Sequence, residues 1–248
     1  MIFSQDTDSG CRNLLRAGPA EYAGLALILL AYALFLWLYF VPVYSGVDPN
    51  GYQVAAKIFS QEGRFGQMPY DEYTFVGRMW VITPAGEAFA KYPPLYPALG
   101  GAAIRMFGPE ASLYVNIICA FMAVLGTYVL GRMAGLGAWS LLPALMLAVN
   151  PVFNNYAISQ VSHPSSIAFL VWGYAFFLAG CGGAVKKIAL PALFISGFLI
   201  GYSAGIRYTD FLLAFPPLVL LLPHVRKKDF LSILAYSAGL AIPWGVLA

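Results

Sequence analysis

Long apolar runs are the feature that most limits what this chain can fold into. Residues 22–43 contain no charged side chain, and about 20 apolar residues let a helix cross the roughly 30 Å hydrocarbon core of a bilayer. Further apolar runs cover residues 111–130, 139–156, 165–180, 188–206, 211–222 and 230–248. The sequence therefore predicts an all-α polytopic membrane protein with about seven transmembrane helices.

The composition agrees with this class. Of the 248 residues, 60% are hydrophobic and 10% are charged, whereas soluble domains carry about 25% charged residues. We therefore expect membrane lipids, and no nucleic acid, among the partners of the chain.

Residues 93–108 are the ambiguous segment, because a helix of this length reaches only about 24 Å. If the segment does not span the membrane, the main cations all fall on one side, as the positive-inside rule requires. These cations are Arg12, Arg16, Arg132, Lys186, Lys187, Arg226, Lys227 and Lys228. We therefore predict an interfacial helix over residues 93–108 and a cytoplasmic amino-terminal tail over residues 1–21.

This topology leaves residues 45–110 as one long outer loop, of a length that is usually functional. Apolar residues recur at helical spacing in two of its stretches, which predicts two juxtamembrane helices. These residues are Tyr52, Ala55, Ala56, Phe59, Leu95, Leu99, Ala102 and Met106. Residues 1–248 thus read as one transmembrane domain, with six further spans over residues 111–248. The apolar end of the chain suggests the amino-terminal part of a longer protein.

An acidic residue, Asp48, opens this loop in the sequence VDPNGY. An Asp followed by a proline, here Pro49, is a good helix N-cap, and that structural role is one interpretation. The other is catalytic, because a carboxylate partly withdrawn from water at the mouth of a bundle can act as a general base. The two roles are compatible, and the sequence leaves both open.

Two cations are candidates for binding a phosphate. Lys91 stands before a double proline in KYPPLYP, which restricts the backbone around it. Arg207 lies in GIRYTD, between the fifth and sixth predicted spans, and an arginine can hold a phosphate through two parallel hydrogen bonds. The alternatives are a lysine that extends to the membrane surface and an ion pair between Arg207 and Asp210.

Several polar and aromatic residues complete the candidate set. His163 lies in SQVSHPSS, just before the fourth predicted span, where a hydrogen-bonded structural histidine is the alternative to a ligand or catalyst. Tyr52, Tyr92, Tyr208 and Asp210 are candidate contacts for a donor or an acceptor. The sequence contains no glycine-rich phosphate loop, no metal-binding His/Cys spacing and no G-x-S-x-G nucleophile. It therefore supports neither nucleotide use nor serine hydrolysis.

The order of these motifs resembles a known family. Five motifs follow one another over about residues 22–222. They are the acid in VDPNGY, the helix ending in FSQEGRFG, the segment KYPPLYP, the end of the second helix in IRMFG and the later RYTD. This series is similar to the amino-terminal half of GT-C fold membrane glycosyltransferases, in the family 39-like branch of protein O-mannosyltransferases and aminoarabinose transferases.

The resemblance implies an activity and its site. Such enzymes transfer a sugar, with inversion, from a polyprenyl-phosphate donor to a hydroxyl of an acceptor glycan, lipid or protein at the extracytoplasmic face of the cell membrane. Asp48 occupies the place of the catalytic base, and Lys91 and Arg207 match basic positions near the carrier phosphate. Many members have an acid before proline where this chain has His163 before Pro164. No cofactor is therefore assigned, and a divalent metal stays open.

A second function, from another class, also fits the sequence. A non-catalytic membrane protein that binds or transports a lipid-linked sugar, such as a flippase, would carry polar groups or broken helices near the bilayer midplane. The predicted charges gather at one face instead, which favours the enzyme. Prolines within the predicted spans, such as Pro151 and Pro191, keep this alternative open.

Overall fold

The computed structural model describes residues 17–42, 46–67, 80–181, 186–226 and 229–245. Its helices are α1 (Pro19–Tyr39), α2 (Val47–Glu62), α3 (Leu95–Phe107), α4 (Ala111–Met133), α5 (Leu141–Ala148), α6 (Pro151–Ile158), α7 (His163–Cys181), α8 (Lys186–Ile206), α9 (Phe215–Arg226) and α10 (Phe230–Gly245). Two 3₁₀ segments, Gly137–Ser140 and Tyr208–Ala214, precede α5 and α9. Most of the predicted amino-terminal tail, with Arg12 and Arg16, lies outside the described residues, as do Lys227 and Lys228.

Four of these helices are long and apolar enough to cross a membrane: Pro19–Tyr39, Ala111–Met133, His163–Cys181 and Ala189–Ile206. The pair Gly137–Ala148 and Pro151–Ile158 passes the same criteria only when taken together, which makes up to five candidate spans in the described ranges. The last two predicted spans correspond to shorter apolar helical segments, Tyr208–Leu222 and Phe230–Gly245. The architecture is that of a helical membrane protein, as the apolar runs predicted.

The third predicted span, residues 139–156, is broken rather than continuous. Helices α5 and α6 meet at an angle of 62°. Asn150 causes a new helix to begin, because its side-chain oxygen accepts a hydrogen bond from the Phe153 N–H at 2.9 Å. Pro151 occupies the first helical position, where its missing N–H costs nothing.

Helices α1 and α4 run antiparallel and are joined at both ends. At one end, the buried Glu21 accepts hydrogen bonds from Tyr128 Oη at 2.8 Å and from Arg132 at 3.1 Å. At the other end, the rings of Phe40 and Tyr114 lie 5.5 Å apart. The chain between α1 and α4 therefore leaves and returns at the same end of the bundle, as the predicted loop requires. Arg132, used above as a marker of topology, is a buried partner of Glu21 instead of a free loop cation.

Both stretches with helical spacing in the loop do form helices, and these helices pack against each other. Ala55 and Ala56 are buried on α2. Gly101 of α3 lies so close that a β-carbon there would stand 2.8 Å from the carbonyl oxygen of Ala56. The face of α3 that contacts α2 therefore contains glycine, while Met106 is 68% exposed at the far end of the helix.

A small antiparallel sheet, which the sequence did not predict, lies between α2 and α3. Strands β1 (Gly66–Gln67), β2 (Trp80–Ile82) and β3 (Ala88–Ala90) are arranged in the order β1-β3-β2. Gly66 pairs with Phe89, and Trp80 pairs with Ala90. Strands this short carry too few alternating residues to produce a recognisable period-2 pattern.

Glycines bring α8 and α10 into backbone contact. A β-carbon on Gly197 would overlap the carbonyl oxygen of Tyr236, and one on Gly239 would overlap that of Phe194. Membrane helices associate closely through such small residues, because they let the two backbones approach.

We therefore expect Gly197→Ala to lower the free energy of unfolding by about 1–3 kcal/mol, the usual cost of overpacking a well-packed interface. Unfolding of the purified protein in detergent by denaturant measures this change. Gly18→Ala is the matched control, because among the described residues no atom beyond its chain neighbours lies within 4 Å of a β-carbon at that position. Equal stability of the two variants would contradict the packing role of Gly197.

Candidate functional site

Asp48 lies in the first turn of α2, inside the helix. The prediction that it is the N-cap is wrong, because the helix begins at Val47 and is preceded by Gly46. The φ angle of Gly46 is 104°, a conformation that favours glycine, so the chain enters the helix before it reaches Asp48. The exposed Asp48 carboxylate instead accepts a hydrogen bond from Tyr92, with 2.8 Å between Oη and Oδ1.

Tyr92 and Tyr52 form an aromatic pair beside this carboxylate. Their ring centroids are 4.4 Å apart. The ring of Tyr92 lies over Gly51, where any β-carbon would overlap it. Burial, and then the hydrogen bond to Asp48, raise the pKa of Tyr92, so its phenol stays protonated and keeps donating at neutral pH. Tyr92 thus holds one oxygen of Asp48.

Tyr52 connects the pair to the turn before α7. Its hydroxyl donates to Ser162 Oγ at 3.2 Å, and its ring meets that of Tyr96 edge to face at 4.8 Å. Burial raises the pKa of Tyr52, and the charges of Asp48 and Arg207 act on it in opposite directions. Arg207, far away in sequence, is therefore within electrostatic range of the same ring.

His163 begins α7 in the same neighbourhood. Its ring stacks on Tyr156 with 4.2 Å between centroids. The charges of Arg207, Asp210 and Asp48 all act on this imidazole. Its Nδ1 is buried and finds no hydrogen-bond partner within the described ranges. Contacts and electrostatic interactions thus link five of the predicted residues, which we call the Asp48 cluster: Asp48, Tyr52, Tyr92, His163 and Arg207.

Asp210 is buried, and its carboxylate is hydrogen-bonded within the helical bundle. It is 8% exposed, and its Oδ2 accepts hydrogen bonds from Ser203 Oγ at 2.7 Å and from Ser166 Oγ. No salt bridge of the described residues joins it to Arg207, so the ion-pair alternative is wrong. Arg207 stands half-buried at the end of α8.

Lys91 and Tyr208 lie outside the Asp48 cluster. Lys91 is exposed and directly precedes Tyr92 in the chain. Tyr208 is 57% exposed, and its ring stacks on Trp244 of α10 at 6.4 Å. Tyr208 therefore packs towards the last helix, whereas Lys91 is the chain neighbour of Tyr92.

A cleft of about 360 Å³ opens beside Asp48. The first turn of α2, with Gly46, Asp48 and Pro49, lines one side. Asn155, Tyr156 and Ser159, at the end of α6, line the other. The size falls in the range of about 300–1,000 Å³ that is typical of small-molecule sites. The cleft therefore gives a ligand access to the Asp48 carboxylate.

Asn116 holds the far wall of this cleft, and the sequence analysis missed it. This fully buried residue of α4 donates from Nδ2 to the carbonyl oxygens of Tyr156 at 2.7 Å and of Ser159 at 2.6 Å. It satisfies backbone carbonyls at the end of α6, which otherwise lack helical partners. An asparagine inside an apolar span was the signal that could have identified it.

Metal binding has no support from the described part of the chain. No group of three or more His, Cys, Asp or Glu residues there could hold a metal ion. His163 has the charged neighbours described above, and its contact is the aromatic ring of Tyr156.

We expect Asn116→Ala to destabilise the protein by about 1–3 kcal/mol, because the partly buried Tyr156 carbonyl loses the Asn116 amide and the Ser159 carbonyl keeps only the Val161 N–H as a donor. Denaturant unfolding in detergent measures the change. Gln61→Ala removes an exposed amide from the last turn of α2 and is the matched control. An Asn116→Ala variant as stable as this control would show that the carbonyls do not depend on Asn116.

Comparisons of the chain with protein-family models, with curated proteins and with solved structures find no match.

Proposed function

We propose that this protein is a glycosyltransferase that moves a sugar from a polyprenyl-phosphate donor to an acceptor hydroxyl. Asp48 takes the proton of the acceptor O–H, and the acceptor oxygen attacks the anomeric carbon. The bond from that carbon to the phosphate oxygen breaks, and the phosphate leaves with the bonding electrons. Attack from the face opposite the leaving group inverts the configuration.

The observation that carries this proposal is the position of Asp48. A general base must be within hydrogen-bond reach of the proton that it takes. Asp48 is exposed on the cleft, and Tyr92 fixes one of its oxygens at 2.8 Å. The other oxygen receives no hydrogen bond from the part of the chain that the structure describes. An oriented carboxylate with one oxygen available suits a base for a bound hydroxyl.

Arg207 supplies the positive charge that the leaving phosphate requires. It acts on Tyr52 and His163, the neighbours of Asp48, and charge placed where negative charge develops lowers the barrier to transfer. Lys91, next to Tyr92 in the chain, is the second cation proposed to face the donor phosphate.

The proposed topology has seven spans, counting the broken α5–α6 pair and the two shorter apolar segments. The positive-inside rule then favours a cytoplasmic amino terminus. The Asp48 cluster then lies at the extracytoplasmic face of the cell membrane. A polyprenyl-phosphate sugar meets the cluster there, and the acceptor glycan, lipid or protein approaches from outside.

We expect Asp48→Asn to abolish sugar transfer while the protein stays folded and inserted, because the amide cannot accept the proton. The measurement is a mass profile of envelope glycans and glycolipids in a strain lacking the gene, rescued with the full-length wild-type or variant gene.

Glu62→Gln is the control for this experiment, because it changes an exposed acid at the other end of the same helix. The control and the wild type should both restore the missing sugar. Restoration by Asp48→Asn to the same level would remove Asp48 as the base.

We expect Arg207→Gln to weaken binding of a polyprenyl phosphate in detergent at least about tenfold, because a charge-assisted hydrogen bond to the phosphate is lost. Titration of the purified protein with this lipid, without any acceptor, measures the affinity. Arg64→Gln is the control, since Arg64 pairs with the exposed Glu62 and with Glu87. Unchanged affinity in Arg207→Gln would exclude Arg207 from the donor site.

A second candidate function is supported by the broken helix pair. Interrupted spanning helices are typical of transporters, and α5 and α6 are bent by 62°. A flippase-like binding or transport protein for lipid-linked sugars would leave the lipid-linked sugar chemically unchanged. Two results together would favour this function. Asp48→Asn would restore the glycan profile, and the lipid-linked sugar would accumulate on the cytoplasmic side when the gene is absent.

A further inference from the structure

The cleft beside Asp48 differs chemically from the cationic part of the Asp48 cluster. No lysine or arginine is among its described lining residues, and its one charged group is the Asp48 carboxylate. Arg207 is not part of the lining and acts on Tyr52 and His163 instead. The Asp48 carboxylate is therefore the charge that the cleft presents to a ligand, and it repels a phosphate, so the cleft favours a neutral ligand.

The opposite wall of the cleft can both donate hydrogen bonds to a ligand and accept them from it. Asn155 is exposed, and its amide can both donate and accept. Ser159 Oγ donates to the Asn155 carbonyl oxygen at 2.6 Å, which leaves its lone pairs to accept from a ligand. A hydroxyl group likewise both donates and accepts. Together with Asp48, this wall matches a ligand that carries several neighbouring hydroxyls.

Tyr156 is an aromatic residue of the same wall. One contact of its ring is with His163 at 4.2 Å, nearly parallel at 19°, and the residue also lines the cleft. An aromatic ring beside hydrogen-bonding side chains is suited to a sugar ring, which has apolar C–H faces and polar edges. A flexible apolar chain would make no use of the polar groups.

The wall is fixed before any ligand arrives. Asn116 holds the carbonyl oxygens of Tyr156 and Ser159, at 2.7 and 2.6 Å. A site whose groups are already ordered loses less entropy when it binds a ligand.

From these observations we infer that the cleft binds the acceptor, and that the acceptor presents a sugar residue of a glycan or glycolipid, with Asn155 as a residue that determines specificity. This inference rests on the proposed transferase function and assigns its acceptor class. The donor phosphate lies on the other side, near Arg207.

The first test identifies the class of acceptor. Membranes from the rescued strain are given the total envelope extract of the strain that lacks the gene, which contains the unmodified acceptor. Mild periodate cleaves neighbouring hydroxyls of sugars, and we expect it to abolish the acceptor activity of the extract, whereas protease should leave this activity intact. Loss of the activity with protease, or its survival after periodate, would overturn the inference.

The second test examines the cleft itself. We expect Asn155→Ala to raise the amount of extract needed for half-maximal transfer roughly three- to tenfold, the effect of one lost hydrogen bond. The maximal rate should stay close to that of the wild type. Gln61→Ala, an exposed amide away from the cleft, should change neither quantity. An unchanged half-saturating amount in Asn155→Ala would remove the acceptor from this cleft.

Asp48→Asn separates failure of the inference from failure of the proposed function. If Asp48→Asn is inactive and Asn155→Ala behaves like the wild type, the acceptor assignment fails while the transferase stands. If Asp48→Asn transfers as fast as the wild type, the proposed function fails, and the acceptor assignment fails with it.

Discussion

The hydrogen bonds of the Asn116 amide are the interaction on which the site end of this bundle depends. Backbone carbonyls at a helix end lack helical partners and, where they are withdrawn from water, need donors from elsewhere in the protein. Asn116 provides them for the end of α6, and Gln160 donates to the carbonyl oxygen of Leu113 at 2.9 Å nearby. The start of α4 and the turn before α7 are thereby fixed to each other.

The loop between α1 and α4 is hydrogen-bonded to the start of α4 as well. Ser112, near the start of α4, donates to Gln53 of α2 at 2.8 Å. Helix α2 then presents Asp48, and the segment before α3 brings Tyr92 to it. The carboxylate is therefore positioned by a chain of contacts that begins at a buried amide and ends at an exposed cleft. Structural and chemical roles are divided between different residues, because the groups that hold the wall are buried and Asp48 is exposed.

The sequence predicted the elements with strong periodicity and missed those that long-range contacts decide. Apolar runs located α1, α4, α7 and α8, and helical spacing located α2 and α3. The helix start at Val47 could not be read from the Asp-Pro pair, because a left-handed Gly46 provides an earlier entry. The strands are too short to show an alternating pattern. The break in the third span was not predicted because Asn150, which caps the new helix, stands in an otherwise apolar run.

The candidate site was predicted in part for the same reason. Local motifs identified Asp48, Tyr52, Tyr92, His163 and Arg207, which the fold brings together. Asp210 could not be assigned from its motif, because its partners Ser166 and Ser203 lie on two different helices. Asn155 and Asn116 were missed because they serve a cleft that forms only when α2 meets α6.

The most direct test of this account is a double-mutant cycle on the residual transfer rate of the purified protein, measured over incubations long enough to resolve rates that the glycan profile does not detect. The variants are Asp48→Asn, Tyr92→Phe and the two combined. If Tyr92 acts by holding the base, its loss can matter only while the Asp48 carboxylate is present. The account therefore predicts that the double variant is no slower than Asp48→Asn alone, although Tyr92→Phe slows the wild type. Independent, multiplying effects of the two substitutions would contradict it.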